Sequence, residues 1–407
     1  MDGLTVEEID PITREQYVVT VDPLEHLAEG ASVGRVVLTA EAEDESGHVT
    51  VAERTVEIAS RRQWTFPTLG RVWQAPELLW DGAVAVVTAD GVLHVVEADG
   101  TERCHARADG ERGTSSPTYA PTANALVWGT THHVRVTDAE TCAEIYEDAL
   151  LREFVSKPVV TEDGMAHATT FDGTLVSFRV DGTERRVIAL NELVAGGSAM
   201  EMRSNIVEGP MGDLYVAAKV GSTGGALFAV RAGSDEVEVA ELTSPVNGDA
   251  LVTDTAIFFG GADGSVYGYE LDLTRRWVAS ASDGLTVLTR PAFDGDVVIV
   301  GDGEGRVHGR DPDTGEIQWE YDAVLDRSPT GVGLIGRAGM ASGPAGDIAF
   351  GDTLGLLHVL GPGGFLRFRA PVAGGGTGDG IVARPAVSSS QVFIGAENQT
   401  LTAFALR

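Results

Sequence analysis

A chain of 407 residues with 43% apolar content can bury a sizeable core, enough for one large repeat domain and a smaller module. Its 61 acidic residues against 29 basic give a formal charge of −32, which repels phosphate backbones and anionic membrane surfaces and argues against nucleic acid as a partner. No run approaches the roughly 18 consecutive apolar residues that a membrane span needs, and the opening MDGLTVEEID is acidic where a secretory signal would be basic and then apolar.

Residues 1–60 belong to no repeat. QYVVTVD, GRVVLTAEAED and TVAERTVEI alternate apolar with polar residues, as strands exposed on one face do. The stretch GRVVLTAEAEDESGHVTVAERTVEI resembles the closing hairpin of a bacterial immunoglobulin-like domain. Sixty residues fall short of the roughly 100 of a full sandwich, so a reduced β-sandwich-like module is expected.

From Arg61 onward the chain repeats itself, and the clearest copy is PAFDGDVVIVGDGEGRVHGRDPDTGEIQWEY at 291–321. It reads as an apolar strand, a Gly/Asp turn, an alternating strand, an Asp-x-Asp-Thr-Gly turn and a strand carrying Trp319. The first apolar residue after the central turn recurs at Leu93, Val134, Leu175, Leu227, Val266, Val307, Leu357 and Leu401. A period near 41 residues suits a four-stranded blade, and no 3.6-residue helical periodicity competes with it. Runs such as VAVVTADGVLHVVEADG are β-rich and broken by Asp-Gly, the hairpin dipeptide. The expected fold is therefore all-β: an eight-bladed propeller of four-stranded blades over 61–407.

The two ends of the array indicate how it closes. The eighth copy, ARPAVSSSQVFIGAENQTLTAFALR, supplies three strands and lacks the tryptophan-bearing fourth. Residues 61–66, RRQWTF, resemble EIQWEY at 316–321 and read as an orphan fourth strand that completes the last blade. Such closure removes the exposed edges an open array would leave. Trp64, Tyr146, Trp277 and Trp319 then occupy equivalent places on outer strands, with Val187 in copy three, and are expected to wedge neighbouring blades together.

Asp311, Thr314, Gly315 and Trp319 resemble the Ala-x-Asp-x-x-Thr-Gly-x-x-x-Trp repeat of the pyrroloquinoline-quinone (PQQ) type propellers, and Asp138, Thr141 and Tyr146 match it more loosely. That resemblance implies an eight-bladed propeller and raises a quinone- and calcium-dependent dehydrogenase as the enzyme alternative. Members with that activity pair calcium with the quinone through carboxylate and amide ligands, often against a tryptophan and a vicinal disulfide. This sequence has no Cys-Cys, so PQQ is not expected and no catalytic residue is assigned. Asp311-Pro312-Asp313-Thr314-Gly315-Glu316 spaces hard oxygen ligands as a calcium loop would, but the same composition makes a tight strand connection, which is the preferred reading. The Gly-rich run at 301–305 is read the same way. No metal site is expected; His132 and His133 are adjacent in an expected strand and would point to opposite faces.

Cys104 and Cys142 lie near the outer strands of neighbouring copies. A disulfide is feasible there and would imply an exported protein, periplasmic or at the cell surface; two buried thiols are the alternative. The residues just before the innermost strands include Ser116, Lys157, Asp249, Arg290 and Arg384, so three cations would ring the channel mouth of an acidic chain. Such a ring could hold a carboxylate-bearing ligand or an acidic peptide, unless the cations pair with neighbouring acids. Lengthened connections at 191–204, 323–340 and 372–382 are expected on the same face. The reading is a non-catalytic scaffold for a protein, peptide or glycan. A structural module of a larger adhesin or an envelope assembly factor is the other non-enzymatic alternative.

Overall fold

The computed structural model describes residues 61–406 apart from 150–155, 196–198, 247, 282–289, 303–304, 324–338, 354 and 373–379; before residue 61 it describes the backbone of 11–13, 16–17, 33–43 and 49–59. The chain divides into two units, 1–62 and 63–407. In the first, Val33–Glu43 and Val49–Ala59 form a long antiparallel hairpin in which Val33 faces Ala59 and Glu43 faces Val49. Pro11–Thr13 and Gln16–Tyr17 form a second, short pair. The strand expected over the rest of QYVVTVD lies outside the described residues.

The second unit contains eight antiparallel sheets arranged as propeller blades, numbered 1 to 8 in chain order. In blade 1, Glu77–Leu78, Val84–Val87, Val92–Val96 and Glu102–Arg107 are strands a to d, counted from the channel outward. The pattern recurs over 118–149, 159–189, 200–242, 251–280, 292–322 and 341–371 for blades 2 to 7. Blade 8 takes strands a to c from Ala386–Val387, Gln391–Ala396 and Thr400–Ala405, and its strand d is Arg62–Pro67 from the far end of the array. The ring is closed as the orphan strand predicts. At the seam Thr65 and Thr402 share a hydroxyl contact of 3.4 Å, and Thr68 N–H donates to Gln399 O at 2.9 Å.

Why the strands read as they do follows from where each lies. Strands b and c are covered on both faces by neighbouring blades, so they become continuous apolar runs such as VAVV, ALVWG and AIFFG, every residue buried. Strand d has one face to solvent and alternates exposed with half-buried residues, as in EIYEDA. The cores accordingly lie between successive blades. Leu93 and Val95 of blade 1, for example, pack with Leu126 and Trp128 of blade 2. All eight sequence anchors fall on strand c.

The rim is closed by a repeated contact between strand d of one blade and the c–d turn of the next. The Trp64 ring lies over Gly100, Tyr146 over Gly182, Trp277 over Gly315 and Trp319 over Gly364. Each of these glycines has a positive φ, and a Cβ at Gly100 or Gly315 would come within 2.7 Å of the ring above it, so the turn requires glycine on both counts. Trp64 Nε1 donates to Ala98 O at 2.8 Å and Trp277 Nε1 to Pro312 O at 2.9 Å, which ties each indole to the turn it covers.

Between blades 1 and 2 the same two places are cysteines. Cys104 faces Val95 across strands c and d as Trp319 faces Gly309, and Cys142 is the positive-φ residue of its turn as Gly315 is of its own. A disulfide joins them, with the Cα atoms 5.7 Å apart. Of the two states left open for these cysteines, the bonded one is present, and it stands where other seams put a ring on a glycine.

Candidate functional site

Two residues ahead of each strand a, the eight blades contribute one ring of positions around the channel mouth: Ala75, Ser116, Lys157, Asn205, Asp249, Arg290, Gly339 and Arg384. Proline follows at Pro76, Pro117, Pro158, Pro291 and Pro385 and holds the ring residue extended. A buried serine one residue earlier pins this segment in two blades: Ser115 Oγ accepts from Gly129 N–H at 2.8 Å and Ser156 Oγ from Thr169 N–H at 2.9 Å.

Around the ring, side chains fasten their neighbours. Ser116 Oγ accepts from Ala75 N–H at 2.9 Å, and Asn205 Oδ1 from Lys157 N–H at 2.5 Å. Asn205 donates its backbone N–H and its Nδ2 to the two oxygens of Asp249, both at 2.7 Å. Lys157 does not stand free: its Nζ reaches Glu77 Oε2 at 2.6 Å, and Glu77 Oε1 also accepts from Tyr119 N–H at 3.2 Å. The ring of three available cations expected from sequence is thus reduced, because a lysine stem is long enough to cross blade 2 and find the carboxylate of blade 1.

Arg290 and Arg384 are different. Among the described residues neither has an ion-pair partner, and Arg290 Nε is sealed from solvent without a hydrogen bond. Both line a cavity of about 330 Å³ together with Glu77, Leu251 and Met340. Burial pulls the Arg290 guanidinium down to about 9, with Arg384 adding repulsion and Asp249 opposing. Burial likewise lowers Arg384, against the attraction of Asp249 and Glu77, and lowers Lys157 against that of Glu77.

Residues 197–331 match the PQQ_2 family model, described as outer membrane protein assembly factor BamB. Among solved structures, BamB from Moraxella catarrhalis is similar at 15% identity and a TM-score of 0.65, over 85% of this chain and 97% of that one. The fold is a PQQ-type β-propeller. The computationally designed protein Ika8 superimposes on this propeller with a TM-score of 0.67 at 14% identity, over 85% and 99% of the two chains. Sqt1 of Saccharomyces cerevisiae does so with 0.67 at 11% identity, over 86% and 100%. No curated protein matches the sequence.

The PQQ-type fold raises the question of a quinone with calcium, and the described residues do not fit that pair. Both carboxylates at the mouth are already engaged by Lys157, Asn205 and a backbone N–H. The cysteines are at the rim, and no cluster of three metal-ligating side chains occurs among the described residues. In the turn at 311–316, Asp311 Oδ1 accepts from the N–H groups of Asp313 and Thr314, both at 2.9 Å, and Asp313 pairs with Arg276 at 2.9 Å. The carboxylates brace the strand connection. In the Gly-rich run at 301–305, residues 303 and 304 lie outside the described residues.

Two further expectations change. His132 sits in the turn before the strand that begins at His133, so strand alternation does not separate them, and both rings approach Glu111. The connection at 191–204 does not simply lengthen the mouth. Leu190, Met200, Met202 and Ile206 pack into the core between blades 3 and 4, and Met200–Glu201 adds to the sheet of blade 4. Within 323–340 and 372–382, residues 324–338 and 373–379 lie outside the described residues. A second, larger cleft of about 880 Å³ opens at the other end of the strands between blades 3 and 4, lined by His167, Arg186, Glu208 and Met211 among others.

Proposed function

We propose that this propeller is an exported, non-catalytic scaffold that binds a protein partner through its channel-mouth face. The observation that carries the reading is the pair of half-buried arginines without an ion-pair partner among the described residues in the mouth cavity, in a chain whose formal charge is −32. Cationic groups left uncompensated in a concave site are a binding device in search of an anion. Export is supported by the Cys104–Cys142 disulfide, since such bonds persist in oxidising compartments. The family match favours, within this class, the reading as an envelope assembly factor, which is what the matched family's description names. The hairpin at 33–59 would then belong to an immunoglobulin-like spacer.

No cofactor is needed for this role. The test is a peptide and glycan array probed with the purified chain, beside a titration with PQQ and calcium followed by absorbance. Array binding without a quinone spectrum is the expected result. A bound quinone in one-to-one ratio with calcium, with turnover of an alcohol or sugar, would replace the scaffold by a dehydrogenase.

A further inference from the structure

Among the described residues the mouth holds more positive charge than its own acids neutralise. Lys157, Arg290 and Arg384 face Glu77 and Asp249, and the two carboxylates are spent on Lys157, Tyr119 N–H and Asn205. The arginines keep the excess, one net positive charge. A guanidinium withdrawn from water without a partner is costly, and two that repel each other more so. Arg290 and Arg384 line one cavity although they stand on blades 6 and 8; Arg384 repels Arg290, and Asp249 attracts both.

Blade 7 contributes glycine to the ring between them. Gly339 has φ +82°, and a Cβ there would lie 2.7 Å from Arg290 N, so any other side chain would displace the segment that carries Arg290. The adjoining Met340 lines, with Arg290 and Arg384, the cavity of about 330 Å³. That is the lower end of ligand-site volumes, enough for a small acid or one acidic side chain with its flanking backbone.

We infer that Arg290 and Arg384 form a receptor for a single carboxylate, carried by an acidic side chain or by the C-terminus of a peptide. The inference rests on the binding role proposed above and narrows it to the group that is bound. Charge selects the ligand. A monoanion cancels the one excess positive charge, whereas a phosphate dianion would overshoot it beside Glu77, which lines the same cavity. Geometry agrees, because planar guanidinium forks present paired donors that match a carboxylate's two oxygens.

Isothermal titration calorimetry on the full chain at fixed ionic strength tests this with three N-acetylated five-residue probes. One is N-acetylated and C-amidated with a central glutamate, the second is its glutamine counterpart, and the third is the glutamine peptide with a free C-terminal carboxylate. Binding of the first or the third at least tenfold tighter than the second is expected, and which of them binds identifies the source of the carboxylate. Arg290→Met and Arg384→Met should each abolish the difference. If either variant fails to fold, Arg290→Lys and Arg384→Lys keep the charge, lose the fork and should weaken binding several-fold. Equal binding of all three peptides, or displacement of the glutamate peptide by inorganic phosphate at equal concentration, overturns the inference. Should no carboxylate peptide bind while an array partner still does, the receptor falls and the scaffold stands; if neither binds, both fall.

Discussion

Between blades 1 and 2 the rim is fastened by a disulfide, whereas between blades 3 and 4 it is left open by a cleft of about 880 Å³. Both seams dispense with the aromatic ring that other seams seat on a glycine. At the first, Cys104 and Cys142 occupy the ring and glycine positions and replace packing by a covalent bond. At the second, the register puts Arg186 in the ring position, facing Ser177 as Trp319 faces Gly309, and not the Val187 expected from sequence, which is the outward-facing residue beside it. Asp235 takes the glycine position, since Arg231 N–H reaches Glu236 O just as Asp311 N–H reaches Glu316 O. The positive φ of that turn has moved to Gly233, which meets nothing within 4 Å. The channel side of the open seam is compensated by Leu190, Met200, Met202 and Ile206. A closed ring gives every blade two neighbours, so one open seam can be carried by the remainder, provided the others hold.

The comparison breaks first at the closure. Trp64 joins the two ends of the array, its ring 5.8 Å from that of Phe393, with its indole on Gly100 and its N–H on Ala98. Trp64→Ala should cost about 3 to 5 kcal/mol in urea-induced unfolding, the cost of deleting a packed indole. An equal or smaller loss than from Arg186→Ala, at the equivalent position of the open seam where no ring is seated, would show that the rim contact does not stabilise the propeller.

Next in size is the disulfide. Its sequence separation of 38 residues corresponds to about 4 kcal/mol of unfolded-state entropy, reduced by any strain the native bond carries. Cys104→Ala with Cys142→Ala should lower stability by about 2 to 4 kcal/mol. Cys104→Trp with Cys142→Gly should recover part of that loss, because it restores the pair used at neighbouring seams. No recovery would mean that the two devices are not interchangeable.

Much of this was readable before the fold was known, and what was not has a common cause. The eight anchors were legible because each follows a local turn, and the closing strand because RRQWTF repeats the pattern of EIQWEY. Five mouth residues were found from their place before strand a, but Asn205 was not: it lies in the copy whose connection is lengthened, where counting from the anchors loses register. Glu77 was missed because it belongs to strand a itself, and nothing local tells that Lys157 will cross blade 2 to reach it. Cys104 and Cys142 were seen as a candidate pair but not as stand-ins for ring and glycine, since the equivalence lies in register and backbone φ, not in side-chain chemistry.

A smaller effect marks the open seam by its pH dependence. His167 lines the cleft, with Ser177 Oγ 2.8 Å from its Nδ1, and burial pulls it down to about 4, Asp163 opposing and Arg186 adding to the fall. The unfolded ring titrates near 6.5, so between about pH 6.5 and 4 the unfolded chain takes up a proton that the folded chain refuses. The contribution of this histidine to stability is therefore complete above about pH 6.5 and is lost as the pH falls toward 4. Against His167→Gln, the unaltered protein should lose an additional 1 to 2 kcal/mol, approximately, over that window. Parallel curves for the two proteins would show that the cleft leaves the ring as wet as bulk solvent does.

The smallest expected change is the one that sharpens the comparison most. Arg186→Trp with Asp235→Gly writes into the open seam the pair found at the seam between blades 5 and 6, where Trp277 lies over Gly315. The indole would take the exposed Arg186 position, and the glycine would let the turn return its positive φ to the place beneath the ring. A gain of about 1 kcal/mol is expected, since added aromatic contact is offset by loss of the weak Arg186–Asp235 pair at 4.0 Å. Each single substitution should give less than half the gain, because a ring without its glycine meets a Cβ and a glycine without its ring only loosens the turn. A double variant no more stable than the sum of the singles would mean that blades 3 and 4 are spaced too widely for the contact, and that the cleft is set by the packed connection at 190–206 and not by the two missing residues.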